Sequence, residues 1–74
     1  MKSLVLDTSY DESVDAAYIS FNRTEGGPAV RQVIVEDEQL GNMNVILDVD
    51  SDGKLLGIEL LDVSTLVAAP RFRA

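Results

Sequence analysis

The stretch "DVDSDGKLLGIE", residues 48–59, decides the fold. Its spacing matches the calcium loop of an EF-hand, with Asp at loop positions 1, 3 and 5, Gly at position 6 and Glu at position 12. It also matches a β-hairpin whose two strands meet at Asp52 and Gly53. An EF-hand loop lies between two helices, whereas the apolar residues on both sides of this turn alternate as they do in strands. We therefore predict a hairpin, with Gly53 as the structural turn residue at positive φ.

The rest of the chain also favours strands. Runs rich in Val, Ile, Leu and aromatic residues are separated by Gly, Asn, Asp and Pro, which is typical of strands joined by turns. Residues 62–69 favour a short helix, capped by Asp62 or Ser64 and ended by Pro70. The predicted fold class is α+β, mostly β, with a small antiparallel sheet of about five short strands in hairpins and a short C-terminal helix. The predicted strands are 3–7, 16–22, 30–38, 45–50 and 54–61, and the predicted turns and loops are 8–15, 23–29 and 39–44.

Residues 8–22 leave two structures open. Ser9 and Glu12 imitate a helix capping box, and the apolar residues of the segment can also be placed at helical spacing. However, residues 18–21 are better strand than helix material, because they include β-branched and aromatic side chains. We favour a hairpin over this segment and keep the helix as the alternative.

Composition limits the kinds of site and partner. The 74 residues fit one domain, 1–74, with 70–74 as a frayed C-terminal tail. The chain has no Cys and no His, which excludes disulfides and the usual zinc, haem and iron–sulfur sites, and we expect no cofactor. Its net charge of −7 opposes binding to nucleic acid or to an anionic membrane and leaves a basic protein as a plausible partner. No apolar run has the length of a signal peptide core or a membrane span, which predicts a cytoplasmic protein.

Two elements of the sequence carry a family resemblance. The first consists of Tyr10, Asp11, Asp15, Ala16, Tyr18 and Ile19, and the second of Asp48, Asp50, Gly53, Gly57, Ile58 and Glu59. In this order they resemble the small bacterial family known as domain of unknown function 2283 (DUF2283), with Leu60 where a final Ile is usual. The resemblance covers nearly the whole chain and implies a small, mostly β domain without an established activity or catalytic residues. Genes of this family can neighbour small toxin-like proteins, which implies an antitoxin-like or accessory role.

Acidic residues form the most chemically suggestive group. Paired carboxylates can perform acid–base chemistry or hold a metal ion. Their simpler role is in turns, where Asp side chains accept hydrogen bonds from nearby backbone amides. We therefore predict no catalytic residue and no metal site. Two alternative sets are Asp11, Asp15, Asp48, Asp50 and Glu59 for a small enzyme or cation-binding domain, and Asp48, Asp50 and Asp52 as weak candidates for a metal ion.

Apolar surface points to self-association. The last two predicted strands are apolar on both faces, and a helix of about seven residues covers only part of one face of a sheet. Exposed apolar surface of that size usually marks an interface. We therefore predict a non-enzymatic protein-interaction module that forms a homodimer. The predicted interface residues are Tyr18, Leu56, Ile58 and Leu60.

Overall fold

The computed structural model describes residues 1–21 and 27–73, which form one antiparallel sheet followed by a short helix. The predicted fold class, mostly β with one short C-terminal helix, is confirmed. No helix in the described part of the chain is long and apolar enough to cross a membrane. The elements are β1 (Leu6–Asp11), β2 (Ala16–Phe21), β3 (Arg31–Asp37), β4 (Gly41–Val49), β5 (Leu55–Leu61) and α1 (Val63–Leu66).

The strand order in the sheet is β1–β2–β5–β4–β3. The last strand of the chain therefore occupies the centre, where it pairs with β2 on one side and β4 on the other. β1 and β3 are the edge strands. This order brings residues from both sequence elements onto neighbouring strands.

The turn between β4 and β5 resolves the ambiguity of residues 48–59. Strands, not helices, flank this turn, so the predicted β-hairpin is confirmed. The Asp50 carboxylate accepts hydrogen bonds from the backbone amides of Asp52 and Lys54, both at 2.9 Å. The Gly53 amide donates to the Asp50 carbonyl at 3.1 Å, and Gly53 has φ of +78°. In this turn, Asp50 binds the backbone of its own hairpin.

The hairpin favoured for residues 8–22 is confirmed over residues 8–21, and the helix alternative is wrong. Residue 22 lies outside the described part of the chain. The predicted first strand at 3–7 and the predicted turn at 8–15 are wrong in their boundaries, because β1 runs from Leu6 to Asp11. β1 is an edge strand, and its polar residues can remain exposed while its backbone pairs with β2.

The predicted turn at 39–44 is also too long, because β4 begins at Gly41. The Asp37 carboxylate accepts hydrogen bonds from the amides of Gln39 (2.8 Å) and Leu40 (3.1 Å), which closes a tight turn after β3. Next to this turn, a β-bulge shifts the register of β3 against β4 between Val35 and Glu36. Of the loop predicted at 23–29, residues 23–26 lie outside the described residues.

The sheet has one apolar and one polar face. Residues paired across neighbouring antiparallel strands lie on the same face, so the pairing register assigns each side chain to a face. The apolar face comprises Leu6, Thr8, Tyr10, Ala17, Ile19, Phe21, Arg31, Val33, Val35, Val45, Leu47, Val49, Ile58 and Leu60. The polar face comprises Asp7, Ser9, Asp11, Ala16, Tyr18, Ser20, Gln32, Ile34, Ile46, Asp48, Gly57, Glu59 and Leu61.

The hydrophobic core is small. Its buried members among the described residues are Ile46, Val49, Leu56 and Val63. Between 3% and 7% of the surface of each remains exposed. The chain exposes 6041 Å², whereas a compact monomer of 8.0 kDa exposes about 4,450 Å². Its radius of gyration is 13.3 Å, against about 11 Å for a compact chain of this length. The single chain is thus more open than a self-contained domain of its size.

Candidate functional site

A hydrogen-bonded cluster on the polar face joins β2, β4 and β3 and passes over the central strand β5. The Tyr18 hydroxyl, on β2, donates to Asp48 Oδ2 on β4 at 2.8 Å. Gln32 Nε2, on the edge strand β3, donates to Asp48 Oδ1 at 3.1 Å. Both carboxylate oxygens of Asp48 therefore have partners, and the cluster fixes the positions of three strands relative to one another.

Gly57 makes the contact between Tyr18 and Asp48 possible. Gly57 lies on β5 between Ser20 of β2 and Asp48 of β4, and it is buried. A Cβ atom at this position would lie 2.5 Å from Tyr18 Cζ and 2.8 Å from the carbonyl oxygen of Ile19. Real Cβ atoms do not approach other heavy atoms so closely. The Tyr18 ring can pass over the central strand because position 57 has no side chain.

A second cluster joins the β1–β2 hairpin to the helix. The Tyr10 hydroxyl donates to Asp15 Oδ1 at 2.7 Å. The Ser64 hydroxyl donates to the same oxygen at 2.9 Å, and the Ser64 amide donates to Asp15 Oδ2 at 3.1 Å. The hydrogen bond from Tyr10, followed by those from Ser64, keeps the pKa of the Asp15 carboxyl below its usual value of 3.8. The same carboxylate raises the pKa of Tyr10 above 10.0.

α1 is capped from another part of the chain. Asp62 occupies the N-cap position with left-handed backbone angles (φ 56°, ψ 48°), and its side chain makes no capping hydrogen bond. Asp15 supplies the acceptors instead, because its carboxylate binds the Ser64 amide and its carbonyl oxygen binds the Val63 amide at 3.1 Å. The predicted N-cap position of Asp62 is therefore confirmed, whereas neither the Asp62 nor the Ser64 side chain provides the capping acceptor. The helix is also shorter than the predicted 62–69, since it ends at Leu66.

The C-terminal segment turns back onto the first strand. The ring of Phe72 stacks on that of Tyr10, with 4.2 Å between centroids and 30° between planes. This contact lies inside the segment 70–74 that the sequence predicts to be frayed. An open cleft of about 610 Å³ separates the segment from β1 and β2. Its lining residues are Thr8, Ser9, Tyr10, Ala17, Arg71, Phe72 and Arg73.

The acidic residues proposed for chemistry are divided among separate local structures. Asp11 accepts from the Ser13 hydroxyl (2.6 Å) and amide (3.0 Å), which lowers the pKa of Asp11. Asp15, Asp48 and Asp50 serve the three hydrogen-bonded structures described above. Within residues 1–21 and 27–73, no three acidic side chains are placed so that they could hold a metal ion.

The predicted interface residues lie on two different faces. Ile58 and Leu60 are half-buried on the apolar face. Leu56 is buried, with 7% of its surface exposed, at a bulge of β5 where it has no pairing partner on β4. Tyr18 lies on the opposite, polar face. Among the other candidates, Glu59 is half-buried beside Tyr18, and Asp52 is exposed in the turn.

Sequence reasoning missed Gln32, Ser64 and Phe72. Gln32 lies opposite Asp48, which could be found only from the register of β3 against β4. Ser64 is separated by 49 residues from Asp15, and Phe72 belongs to a segment without secondary structure.

The sequence profile described as "Protein of unknown function (DUF2283)" matches residues 8–64, which is most of the chain. The chain belongs to the DUF2283 family. The resemblance carried by the two sequence elements is thereby confirmed. No curated protein and no solved structure matches the chain. The matched range contains both Tyr–Asp clusters of this DUF2283 member in full, since it extends from β1 to Ser64.

Proposed function

We propose that this DUF2283 protein is a non-enzymatic protein-interaction module that self-associates. The observation that carries the proposal is the apolar face, which α1 and the C-terminal segment cover only in part. Apolar faces of antiparallel sheets are normally packed against a second layer. The described residues form only part of such a layer, and we propose that another molecule completes it.

The motif residues support a structural rather than a catalytic use of the acidic side chains. Tyr10 and Tyr18 each donate to a carboxylate, and Asp50 accepts from two backbone amides. An enzyme active site needs side chains that converge on a pocket. The proposed small enzyme or cation-binding domain would require these separate carboxylates to act on one ligand.

The polar face is the surface that suits a basic partner. Its strand positions include the carboxylates of Asp7, Asp11 and Glu59 and no Lys or Arg. A surface of one charge sign attracts a protein of the opposite sign and accelerates its association. We propose this face for the accessory or antitoxin-like role in the cytoplasm that the family resemblance implies.

Light scattering coupled to size exclusion tests the proposal of self-association. At tens of micromolar protein and moderate salt, we expect a mass of twice the 8.0 kDa of one chain. A mass of 8.0 kDa over the whole accessible concentration range would refute self-association. Isothermal titration with a small cation, such as calcium, serves as the control for the competing cation-binding hypothesis.

A further inference from the structure

We propose that a second copy of this chain covers the apolar face, so that two sheets stack face to face about a two-fold axis. This inference rests on the proposed function and assigns one surface and one partner to the self-association. It follows from four observations: the composition of the face, its incomplete cover, the surface area and the position of the charges.

The centre of the apolar face is a continuous aliphatic row. Ile19, Ile58, Leu47 and Val33 are direct cross-strand partners from β2 through β5 and β4 to β3. A parallel row runs through Ala17, Leu60, Val45 and Val35. All eight side chains remain half-buried in the single chain. An aliphatic sheet surface of this kind packs well against another like itself, as in β-sandwiches.

The C-terminal segment of the chain covers the β1–β2 end of this face. Phe72 stacks on Tyr10, and the cleft beneath the C-terminal segment is lined by Thr8 and Ala17. The helix α1 has four residues and contacts only β5 among the strands to a substantial extent. Neither the four-residue helix nor the contact of Phe72 with Tyr10 therefore supplies a full second layer over the rows on β4 and β3.

The excess surface is large enough for a stable dimer. The chain exposes about 1,600 Å² more than a compact monomer of its mass. Part of this excess belongs to the N-terminal residues before β1, such as Leu4 and Val5, which are 73% and 62% exposed. The excess is larger than the roughly 800 Å² that each partner contributes to a standard protein–protein interface.

The distribution of charge favours a second copy over a basic protein on this face. The two central rows of this face contain no charged residue, and Arg31 and Asp37 stand at the two ends of β3. Two copies can therefore meet on the central rows without opposing their carboxylates there, although each carries a net charge of −7. A basic partner would gain no electrostatic attraction there and would bind the polar face instead.

Val33 and Ile34 form a matched pair of test positions. They are adjacent β-branched residues on the edge strand β3, but Val33 lies on the apolar face and Ile34, 43% exposed, on the polar face. We expect Val33→Lys to weaken dimerisation tenfold or more, because an ammonium group without a partner loses its hydration in an apolar interface. Ile34→Lys introduces the same charge and should leave the dimer unchanged. Sedimentation equilibrium measures both dissociation constants, and circular dichroism verifies the fold.

Single cysteines provide a second measurement that does not introduce a charge. The chain has no native Cys, so Val33→Cys and Ile34→Cys each carry one thiol. As the protein concentration rises through the dimer dissociation constant, alkylation by a maleimide should slow severalfold at position 33. The rate at position 34 should not change. This measurement applies even if Val33→Lys fails to fold.

The possible results separate this inference from the proposed function. A dimer that Val33→Lys dissociates and Ile34→Lys preserves, with protection of the thiol at position 33 only, supports the stacked sheets. A dimer that neither lysine weakens, or in which the thiol at position 34 is protected, overturns the assigned face and leaves self-association intact. A wild-type chain that is monomeric overturns both.

Discussion

At the scale of single residues, Gly57 and Gly53 are glycines for different physical reasons. Gly53 has φ of +78° and open space around its missing Cβ atom, so the backbone conformation demands glycine there. At Gly57, φ is not positive, and the constraint is the close approach of the Tyr18 ring and the Ile19 carbonyl. The second sequence element contains both positions because it combines a turn with a strand under an aromatic ring.

Replacing Gly57 by Ala should destabilise the protein. The new Cβ atom would lie 2.8 Å from the backbone oxygen of Ile19, which cannot move aside as a flexible side chain can. We expect Gly57→Ala to lower the free energy of unfolding by about 1–3 kcal/mol, as overpacking does in other proteins. Urea denaturation measures the change. Gly27→Ala is the matched control, because nothing lies within 4 Å of its added Cβ atom. Equal stability of the two variants would show that β2 and β5 accommodate the methyl group.

At the scale of elements, α1 depends on the β1–β2 hairpin. A helix of four residues has little stability of its own, since most helical stability in proteins comes from tertiary contacts. Here the contacts are the hydrogen bonds from Ser64 and Val63 to Asp15 and the burial of Val63, which is 3% exposed. Loss of the Asp15 carboxylate should therefore release the helix and the C-terminal segment behind it.

Two aspartates in the same backbone conformation test this dependence. Asp15 and Asp62 both have left-handed φ values, 53° and 56°, which Asn tolerates. Asp15→Asn removes a charged acceptor of three groups and should lower stability, whereas Asp62→Asn removes no capping hydrogen bond and should have little effect. Urea denaturation and the amide exchange rates of α1 measure the difference. A larger loss in Asp62→Asn would mean that the cap is formed as the sequence suggests.

The lowered pKa values of three aspartates predict an acid-sensitive fold. Asp11, Asp15 and Asp37 all have folded-state pKa values below their usual 3.8, because Ser13, Tyr10 and the Leu40 amide respectively donate hydrogen bonds to them. Below pH 3.8 the unfolded chain binds more protons at these groups than the folded chain does. Their stabilisation is therefore complete at neutral pH and is lost as the pH falls through the folded-state values.

Thermal unfolding at a fixed protein concentration checks this sign. The melting temperature should fall as the pH is lowered from about 5 to about 2, the range in which such carboxylates become protonated. Asp15→Asn should show a shallower decline, because it lacks one of the three titrating groups. A melting temperature of the wild type that stays constant or rises over this range would contradict the hydrogen-bonded carboxylates.

The sequence predicted the type of each element better than it predicted the element's boundaries or its pairing partners in the sheet. The turn at Gly53 could be found because Asp, Ser and Gly between alternating apolar residues have a local physical meaning. The strand character of residues 8–11 could not, because an edge strand tolerates the same polar residues as a turn. The central position of β5 depends on its pairing with β2, in which Ile58 lies opposite Ile19, 39 residues earlier in the chain. No local signal specifies this pairing.

The residues of the candidate site could be predicted from the sequence, but their hydrogen-bond partners could not. Tyr10, Asp15, Tyr18 and Asp48 all stand out in the sequence, and an acidic cluster was a reasonable chemical hypothesis. Their actual partners depend on the strand order and on the α1 position, which join Asp15 to Ser64 and Tyr18 to Asp48. Hydrogen bonds over 49 and 30 residues of sequence are set by tertiary structure alone.

At the scale of the whole molecule, the net charge of −7 per chain and the apolar face act against each other. The hydrophobic face favours association in proportion to the area removed from water. The charges oppose association. The strand carboxylates lie on the polar face or at turns, outside the contact, but they repel the carboxylates of a second copy at longer range. Salt acts mainly on the second contribution, since the Debye length is about 30 Å at 0.01 M and about 3 Å at 1 M.

The dimer should therefore become tighter as salt is added. We expect the dissociation constant to fall severalfold between about 0.02 M and about 0.5 M sodium chloride, because screening removes repulsion and leaves the apolar contact intact. Sedimentation equilibrium over this range measures the change. A dissociation constant that rises with salt would indicate an interface held by ion pairs. Such a result would point to Arg71 and Arg73, on the C-terminal segment at the β1–β2 end of the apolar face, paired with carboxylates of the other copy.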